Sequence, residues 1–292
     1  MIVIADKYGQ LGNRLFVFAH FIGWAIEHGS VIANPAFDEY AQYFEGTADD
    51  PWCRYPAQPS PSRSIARARR RNYNAVRPAS QIVSGLRLRT PWIGYENIGT
   101  NELYQLCDKD KAQALLGRRL TLVRGWQYRD ETSLHKHAPA IRAYFTPRTP
   151  HLQTVEKSVA AARATCDVLV GVHVRRGDYI SFMDGRYYYD PSVYREIMEK
   201  VRRRLKGRET GFLVCSNEPV NTASYSGINV HRGPDHLIGD MYALARCDYL
   251  IGPPSTYTLW ASYYGGVPLL QITRADTEAV LAEFAAGWRW PN

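Results

Sequence analysis

The sequence predicts an α/β protein made of two doubly wound units. Three observations carry the prediction. Short β-branched runs alternate with amphipathic helical stretches through the second half of the chain, the pattern of a parallel sheet covered by helices on both faces. A strand-loop-helix-strand unit with glycines in its first turn opens the chain at residues 2–33. The 292 residues, 45% of them apolar, suffice for two cores. A proline-punctuated stretch at Pro147 and Pro150 marks the boundary, giving domains 1–150 and 151–292.

Taken in order, Ile2, Val3, Ile4 and Ala5 form a short buried strand, and residues 6–12 a loop carrying Gly9 and Gly12. Residues 13–28 read as a helix with Leu15, Ala19, Ile22 and Ile26 on one face, stopped by Gly29, and 31–33 as the next strand. The two glycines would let the backbone approach a phosphate or sugar, with Asn13 in the first helical turn. A G-x-x-G loop is equally a tight turn. His20 lies within an apolar helix and reads as a core histidine.

Residues 35–90 show little periodicity. They hold Pro51, Pro56, Pro59 and Pro61, then a basic run from Arg63 to Arg77 that includes Arg67, Arg69, Arg70 and Arg71. That run suits a solvated helix face or mobile loop, and also a patch that docks on anionic lipid head groups or an anionic acceptor. Residues 92–95 and 120–123 read as strands. Trp126 and Tyr128 suit either a platform for a sugar ring or core packing. Asp108 and Asp110 spell D-x-D, the usual metal-diphosphate pair, but in a helical stretch (101–116) rather than after a strand, so they read as surface charge.

In the second half a helix (152–165) leads to the apolar strand 167–174, which runs into Arg175, Arg176, Gly177 and Asp178. Arginine grips a diphosphate by paired hydrogen bonds, and the C-terminal edge of such a strand is where open α/β sheets bind ligands. A basic surface turn is the competing reading. Asp190 and Pro191 start a helix over 192–205. Strand 212–215 ends at Ser216, Asn217 and Glu218. Strand 228–231 and helix 237–247 follow. Strand 248–252 ends at Pro253, Pro254, Ser255 and Thr256, and helix 259–264, strand 268–272 and an amphipathic tail (277–286) close the chain. Three strands thus deliver hydrogen-bonding side chains to one sheet edge, a convergence that random surface decoration would not give.

The net charge of +8 and pI near 9.2 call for an anionic partner: a nucleotide sugar, a phospholipid surface or nucleic acid. Nucleic acid lacks support, because no finger, helix-turn-helix or aromatic RNA-binding signature occurs. The five cysteines (Cys53, Cys107, Cys166, Cys215, Cys247) have neither zinc spacing nor a disulfide pattern, and the last three read as reduced core residues. No signal peptide or membrane-length apolar run is expected from the sequence. The expected setting is the cytoplasm of a bacterial-type cell, with peripheral contact at the inner membrane through residues 63–77.

GQLGNRLF (9–16), HVRRGDY (173–179) and DMYALARCDYLIGPPSTYTLWAS (240–262) resemble the signature regions of the GDP-fucose-using fucosyltransferases. They are most similar to the bacterial α-1,2-fucosyltransferase family, which shares donor motifs with the α-1,6- and protein O-fucosyltransferases. The resemblance implies a GT-B fold of two Rossmann-like domains facing each other across a cleft, acceptor-side first and GDP-sugar-binding second. It implies metal-independent, inverting transfer of L-fucose from GDP-β-L-fucose to an oligosaccharide or lipid-linked glycan, such as a surface-polysaccharide unit ending in galactose or a hexosamine, with α-1,2 linkage to galactose the expected product. No cofactor or metal is expected.

Carried over residue by residue, the resemblance makes Arg175 the ligand of the β-phosphate with Arg176 supporting it, a cationic substitute for a divalent ion. His173 would lie near the guanine or ribose. Asp240, in a first helical turn, would accept from the guanine N1–H and exocyclic amine. Ser255 and Thr256 would hold phosphates at a helix start; Gly12 and Asn13 would close on the fucose end. Ser216 and Asn217, with Glu218, replace the family's serine followed by two aspartates. The segment at Pro254 to Thr256, followed by the single Trp260, also departs from the family pattern. Asp178, Asp184 and Glu218 are the candidate bases, and Asp178 has a second reading as the group that orients the arginines. Other linkages, a GDP-sugar-binding module without transfer, and a basic nucleic-acid binder are the alternatives.

Overall fold

The computed structural model describes residues 1–61, 64–279 and 284. It divides into two compact units, Met1–Arg148 and the residues from Thr149 onward, two residues before the boundary drawn from the sequence.

The first unit runs β1 (Ile2–Ile4), α1 (Leu11–His28), β2 (Ile32–Ala33), β3 (Arg54–Tyr55), α2 (Ile65–Gly85), β4 (Ile93–Asn97), β5 (Tyr104–Gln105), α3 (Lys109–Leu116), β6 (Leu120–Arg124), β7 (Tyr128–Arg129), α4 (Glu131–Lys136) and α5 (Ala138–Tyr144). Its five-stranded sheet has the order β3-β2-β1-β6-β4. It is parallel except for β3, which pairs antiparallel at the edge. Helix α1 carries Phe16, Phe18, Phe21 and Trp24, all fully buried, so it is an internal helix rather than a surface one. It ends at Gly29, whose φ of 57° is the left-handed conformation that closes helices most easily in glycine. His20 is a core histidine, as the sequence suggests: its Nδ1 accepts the Asp130 amide, and burial holds its pKa well below the ordinary value.

Several sequence expectations are corrected here. Helix α1 begins at Leu11, so Gly12 sits in its first turn and not in the preceding loop. The unperiodic segment holds a 21-residue helix, α2, interrupted in sequence by Pro78. Only five of its residues are buried, too few to print a clear stripe. One of them is Arg69, 3% exposed, whose guanidinium donates to the carbonyls of Thr47 and Ala48; it is no part of a surface patch. Arg63 lies outside the described residues. The helix expected over 101–116 is only 109–116, with Asp108 as its N-cap accepting from the Lys111 amide. Tyr128 is buried and bonded to the carbonyls of Glu96 and Arg124, a core residue rather than a sugar platform.

The second unit contains α6 (Thr149–Arg163), β8 (Val168–Val174), α7 (Pro191–Arg204), β9 (Thr210–Ser216), β10 (Val230–Arg232), α8 (Leu237–Leu244), β11 (Tyr249–Gly252), α9 (Thr256–Gly265) and β12 (Leu269–Gln271). Its sheet order is β10-β9-β8-β11-β12, all parallel. The winding therefore reverses beside β8, at the switch point where such sheets open a crevice. Val168, Val170, Val172 and Val174 pack with Tyr194, Ile197, Met198 and Val201 of α7. The alternate face of β8 is shaved by Gly171: a Cβ there would lie 2.6 Å from Leu250 and 2.8 Å from Leu244. Helix α8 ends at Leu244, three residues short of the sequence estimate. Helix α9 starts three residues early because Ser255 caps it. The tail expected over 277–286 falls largely outside the described residues.

All five cysteines are free, with Cys53, Cys215 and Cys247 buried, Cys166 partly so and Cys107 exposed. Among the described residues no helix is long and apolar enough to cross a membrane.

Candidate functional site

The C-terminal edge of the second sheet opens into a pocket of about 340 Å³. Its lining comes from the ends of β8 and β9, the turn after β10 and the starts of α8 and α9. It includes His173, Arg175, Ser216, Asn217, Glu218, His236, Asp240 and Tyr257. The period of two along β8 puts His173 and Arg175 on this face together.

The same period sends Val174 and Arg176 to the other face, where they line a second pocket of about 240 Å³ with Pro191, Asn221 and Tyr225. The two arginines thus do not converge, contrary to the sequence expectation that Arg176 supports Arg175 on one phosphate. Arg176 donates to the Tyr188 hydroxyl, stacks its guanidinium over that ring at 4.9 Å and lies 3.6 Å from Glu218. Arg175 pairs with Asp178 at 2.7 Å and lies over Tyr179 at 5.4 Å. Asp178 is half exposed and outside the pocket lining, in the position of a group that orients Arg175.

His173 is buried. Its Nδ1 lies 2.6 Å from the Thr258 hydroxyl, and its ring stacks on Tyr257 at 4.9 Å. Burial, reinforced by the Arg175 charge, pushes its pKa down to about 3, so the imidazole is neutral and serves as a hydrogen-bonding surface. Gly252 makes room for it: a Cβ there would stand 3.1 Å from that of His173. Tyr257 is fixed in turn by its hydroxyl, which donates to the Leu237 carbonyl.

Asp240 sits in the first turn of α8, 6% exposed, with one oxygen accepting the Asp235 amide at 2.9 Å. Desolvation pushes its pKa up to about 6 against the bonds from Asp235 and His236. His236 is the N-cap of the helix and accepts from the amides of Ile238 and Gly239, an unusual cap that requires an unprotonated Nδ1.

The altered Ser216-Asn217-Glu218 segment has a structural task. Asn217 accepts the Arg176 amide and Glu218 the Gly177 amide, both at 3.1 Å, while Ser216 accepts the Glu218 amide. The end of β9 therefore shapes the loop that follows β8. Ser255 is spent as the cap of α9, accepting from Tyr257; Thr256 opens that helix. Neither lines the pocket. Asp184 is exposed in a left-handed turn, φ 55°. Gly12 and Asn13 belong to the first unit, where the Asn13 side chain packs against Gly9, whose φ of 58° favours glycine.

Sequence reasoning missed His236, Tyr257 and Thr258. Thr258 follows the S-T pair by one turn, so helical spacing could have flagged it; the other two carry no local signal. Among the described residues no three His, Cys, Asp or Glu side chains gather as a metal site would.

Comparison with known proteins gives several likenesses. The model of glycosyl transferase family 11 matches residues 152–290. The galactoside alpha-(1,2)-fucosyltransferase 1 of Mus musculus is 30% identical over 165 residues, covering 52% of this chain and 41% of that protein. The Homo sapiens enzyme of the same name is 31% identical over 125 residues, 37% of this chain and 33% of that one. The chain thus spans less than half the length of these relatives. Among solved structures, an Arabidopsis thaliana FUT1 variant in complex with GDP superposes with a TM-score of 0.56 at 12% identity, covering 92% of this chain and 69% of that one. The fucosyltransferase NodZ from Bradyrhizobium gives 0.52 at 17% identity, with 93% and 94% covered. The architecture is therefore GT-B-like, two Rossmann-like units.

Proposed function

We propose that the chain is a fucosyltransferase that takes L-fucose from GDP-β-L-fucose and delivers it, with inversion, to a glycan hydroxyl. The observation that carries this is the meeting of His173, Arg175 and Asp240 in one pocket at the switch point of a parallel sheet, where a nucleotide is expected. The pocket lies within the range of roughly 300–1,000 Å³ usual for small-molecule sites. The family match, and relatives named as fucosyltransferases, support the same reading.

In this mechanism the Asp240 carboxylate accepts from the two guanine donors, N1–H and the exocyclic amine, which adenine and uracil do not present in that pairing. His173, neutral and held by Thr258 and Tyr257, borders the nucleoside. Arg175 faces the diphosphate. As the bond between fucose C1 and the β-phosphate oxygen breaks, its electron pair stays on GDP, and the fixed guanidinium stabilises the growing charge. The acceptor hydroxyl attacks C1 from the opposite face and releases its proton to solvent as the new bond forms. Departure running ahead of attack lowers the demand on a base, which suits carboxylates already engaged: Asp178 holds Arg175 and Glu218 holds the loop after β8. Arg175 would fill the role of a divalent ion.

The names of the mouse and human relatives favour an α-1,2 linkage to galactose; the NodZ likeness makes α-1,6 the competing product. Titration calorimetry of GDP, ADP and UDP with EDTA present tests the site. GDP alone is expected to bind. Binding that needs a divalent ion, or no preference for guanine, overturns the assignment. Incubation of GDP-fucose with galactose-ended acceptors, followed by NMR of the product, then gives the linkage. GDP-fucose binding with neither transfer nor hydrolysis would instead identify a non-catalytic binding module, a reading favoured by the commitment of Asn217 and Glu218 to backbone support.

A further inference from the structure

We infer that the end of the first sheet at which β4 and β6 begin is a docking surface for an anionic phospholipid bilayer. From residue 51 to residue 95 the chain has nine arginines and no aspartate, glutamate or lysine. The sequence drew attention to 63–77, yet the structure gathers the exposed apolar groups elsewhere. Ile82, Leu86, Leu88 and Trp92 are 60%, 66%, 37% and 67% exposed. They belong to the last turn of α2 and its connection to β4. The Leu86 amide closes on Ile82 and the Leu88 amide on Val83, both at 2.9 Å, which holds the leucines in one tight turn.

Arginines are threaded through these residues. Arg87 and Arg89 alternate with Leu86 and Leu88. Arg119, at the start of β6, lays its guanidinium over the Trp92 ring at 5.7 Å, and its amide donates to the Pro91 carbonyl. The next carboxylate along the sequence, Glu96, is largely buried and faces Arg118 and Arg89 at 3.4 and 3.5 Å. The surface therefore presents guanidinium groups, branched aliphatic chains and one indole, with no exposed carboxylate between residues 51 and 95.

That chemistry fits a bilayer interface. Tryptophan and leucine enter the head-group boundary while arginines meet lipid phosphates. A second copy of the chain fits poorly, since a two-fold contact would set this patch against itself and oppose its arginines. Nucleic acid offers phosphates but no apolar layer for Leu86 and Ile82. The patch lies at the opposite end of the sheet from Asp6 and Arg124, where β1 and β6 end, so bilayer docking leaves that edge of the unit open.

The test is flotation of the full chain with vesicles of phosphatidylcholine alone or with about one-third phosphatidylglycerol. Two double variants are compared, W92S with L86S, and R87Q with R89Q; all four side chains are exposed. Binding is expected only to the phosphatidylglycerol vesicles, weakening with salt. The arginine pair should lower it about twenty-five-fold, at roughly fivefold for each charge near the surface. The apolar pair should lower it at least about tenfold. In the parent, brominated lipid should quench an emission component that the Trp92→Phe variant lacks. Near-UV circular dichroism and GDP titration of vesicle-free protein, read separately, report folding and the donor site.

Equal binding to both vesicle types overturns the inference, as does no binding to either. Parental binding by both folded double variants, or quenching that persists unchanged in Trp92→Phe, overturns it too. Self-association abolished by the W92S and L86S pair, without vesicle binding, would identify a second copy as the occupant.

Discussion

Replacing Asp240 by asparagine separates two effects that ordinarily move together. In the folded chain burial raises this carboxyl from 3.8 to about 6. Between those values the folded protein keeps a proton that the unfolded chain has released, so stability falls as pH rises through that window. Above it the ionised, 6% exposed side chain costs the fold about 3 kcal/mol, at roughly 1.4 kcal/mol per pKa unit. Asp240→Asn removes that cost at pH 7.5 and keeps an oxygen for the Asp235 amide, so thermal unfolding should move up by several degrees, at about 2–4 °C per kcal/mol. Donor binding should move the other way. Two charge-assisted bonds to guanine become at best one neutral one, a loss of about 3 kcal/mol or roughly a hundredfold in affinity.

The assay is calorimetric titration of GDP-fucose from pH 5 to 8. The donor suits the purpose because its diphosphate is esterified at both ends and does not titrate there, unlike the terminal phosphate of GDP. At pH 5 only about a tenth of Asp240 is ionised, so the parent protein should bind about tenfold more weakly than at pH 7.5, whereas the variant should show a flat profile. If both proteins show the same pH dependence, or Asp240→Asn binds GDP-fucose as well as the parent, Asp240 does not read the base. A variant less stable than the parent at pH 7.5 would refute the burial argument.

The remaining predictions follow from the two faces of β8. Arg175→Ala should lower the rate of fucose transfer at least about a hundredfold and weaken GDP binding while circular dichroism stays unchanged; retained transfer would show that another group meets the leaving diphosphate. Arg176→Ala, on the opposite face with Tyr188 and Glu218, should change the GDP dissociation constant by less than about threefold and instead lower the urea midpoint. Gly171→Val forces side-chain atoms into Leu250, Leu244 and Cys247 and should cost about 1–3 kcal/mol in urea unfolding; an unchanged midpoint would mean that α8 yields freely.

Much of this architecture was legible from residue pattern. The parallel sheet of the second unit was plain because buried strands such as β8 are valine-rich runs, buried along their whole length, between helices of clear period. The convergence of strand ends followed from that alone. The separation of Arg175 from Arg176 was equally legible, since the alternation that pairs His173 with Arg175 must turn Arg176 away, and a two-arginine motif hides this when read as a unit. Other features had no local signature. Helix α2 shows few buried positions and a proline: its apolar contact face is short, Val76 and Val83 packing against Val3 and Leu122, and polar contacts such as Arg69 to Thr47 add to it. The cap His236 and the stacking partner Tyr257 reach the pocket only through the crossing of α8 and α9 over the sheet, which no short window of sequence records.

The pairing of Arg175 with Asp178 also bears on how this cation meets small anions. A guanidinium that already carries its own counter-ion is a poor trap for chloride or a lone phosphate, because an intruder must displace a tethered carboxylate whose local concentration is high. A ligand that is anchored elsewhere at the same time, through its base and ribose, meets that competitor with a tether of its own. Under the proposed function the carboxylate would act in this sense as a threshold: it keeps the cation folded back and would yield it only to a dianion that arrives attached to the right nucleoside.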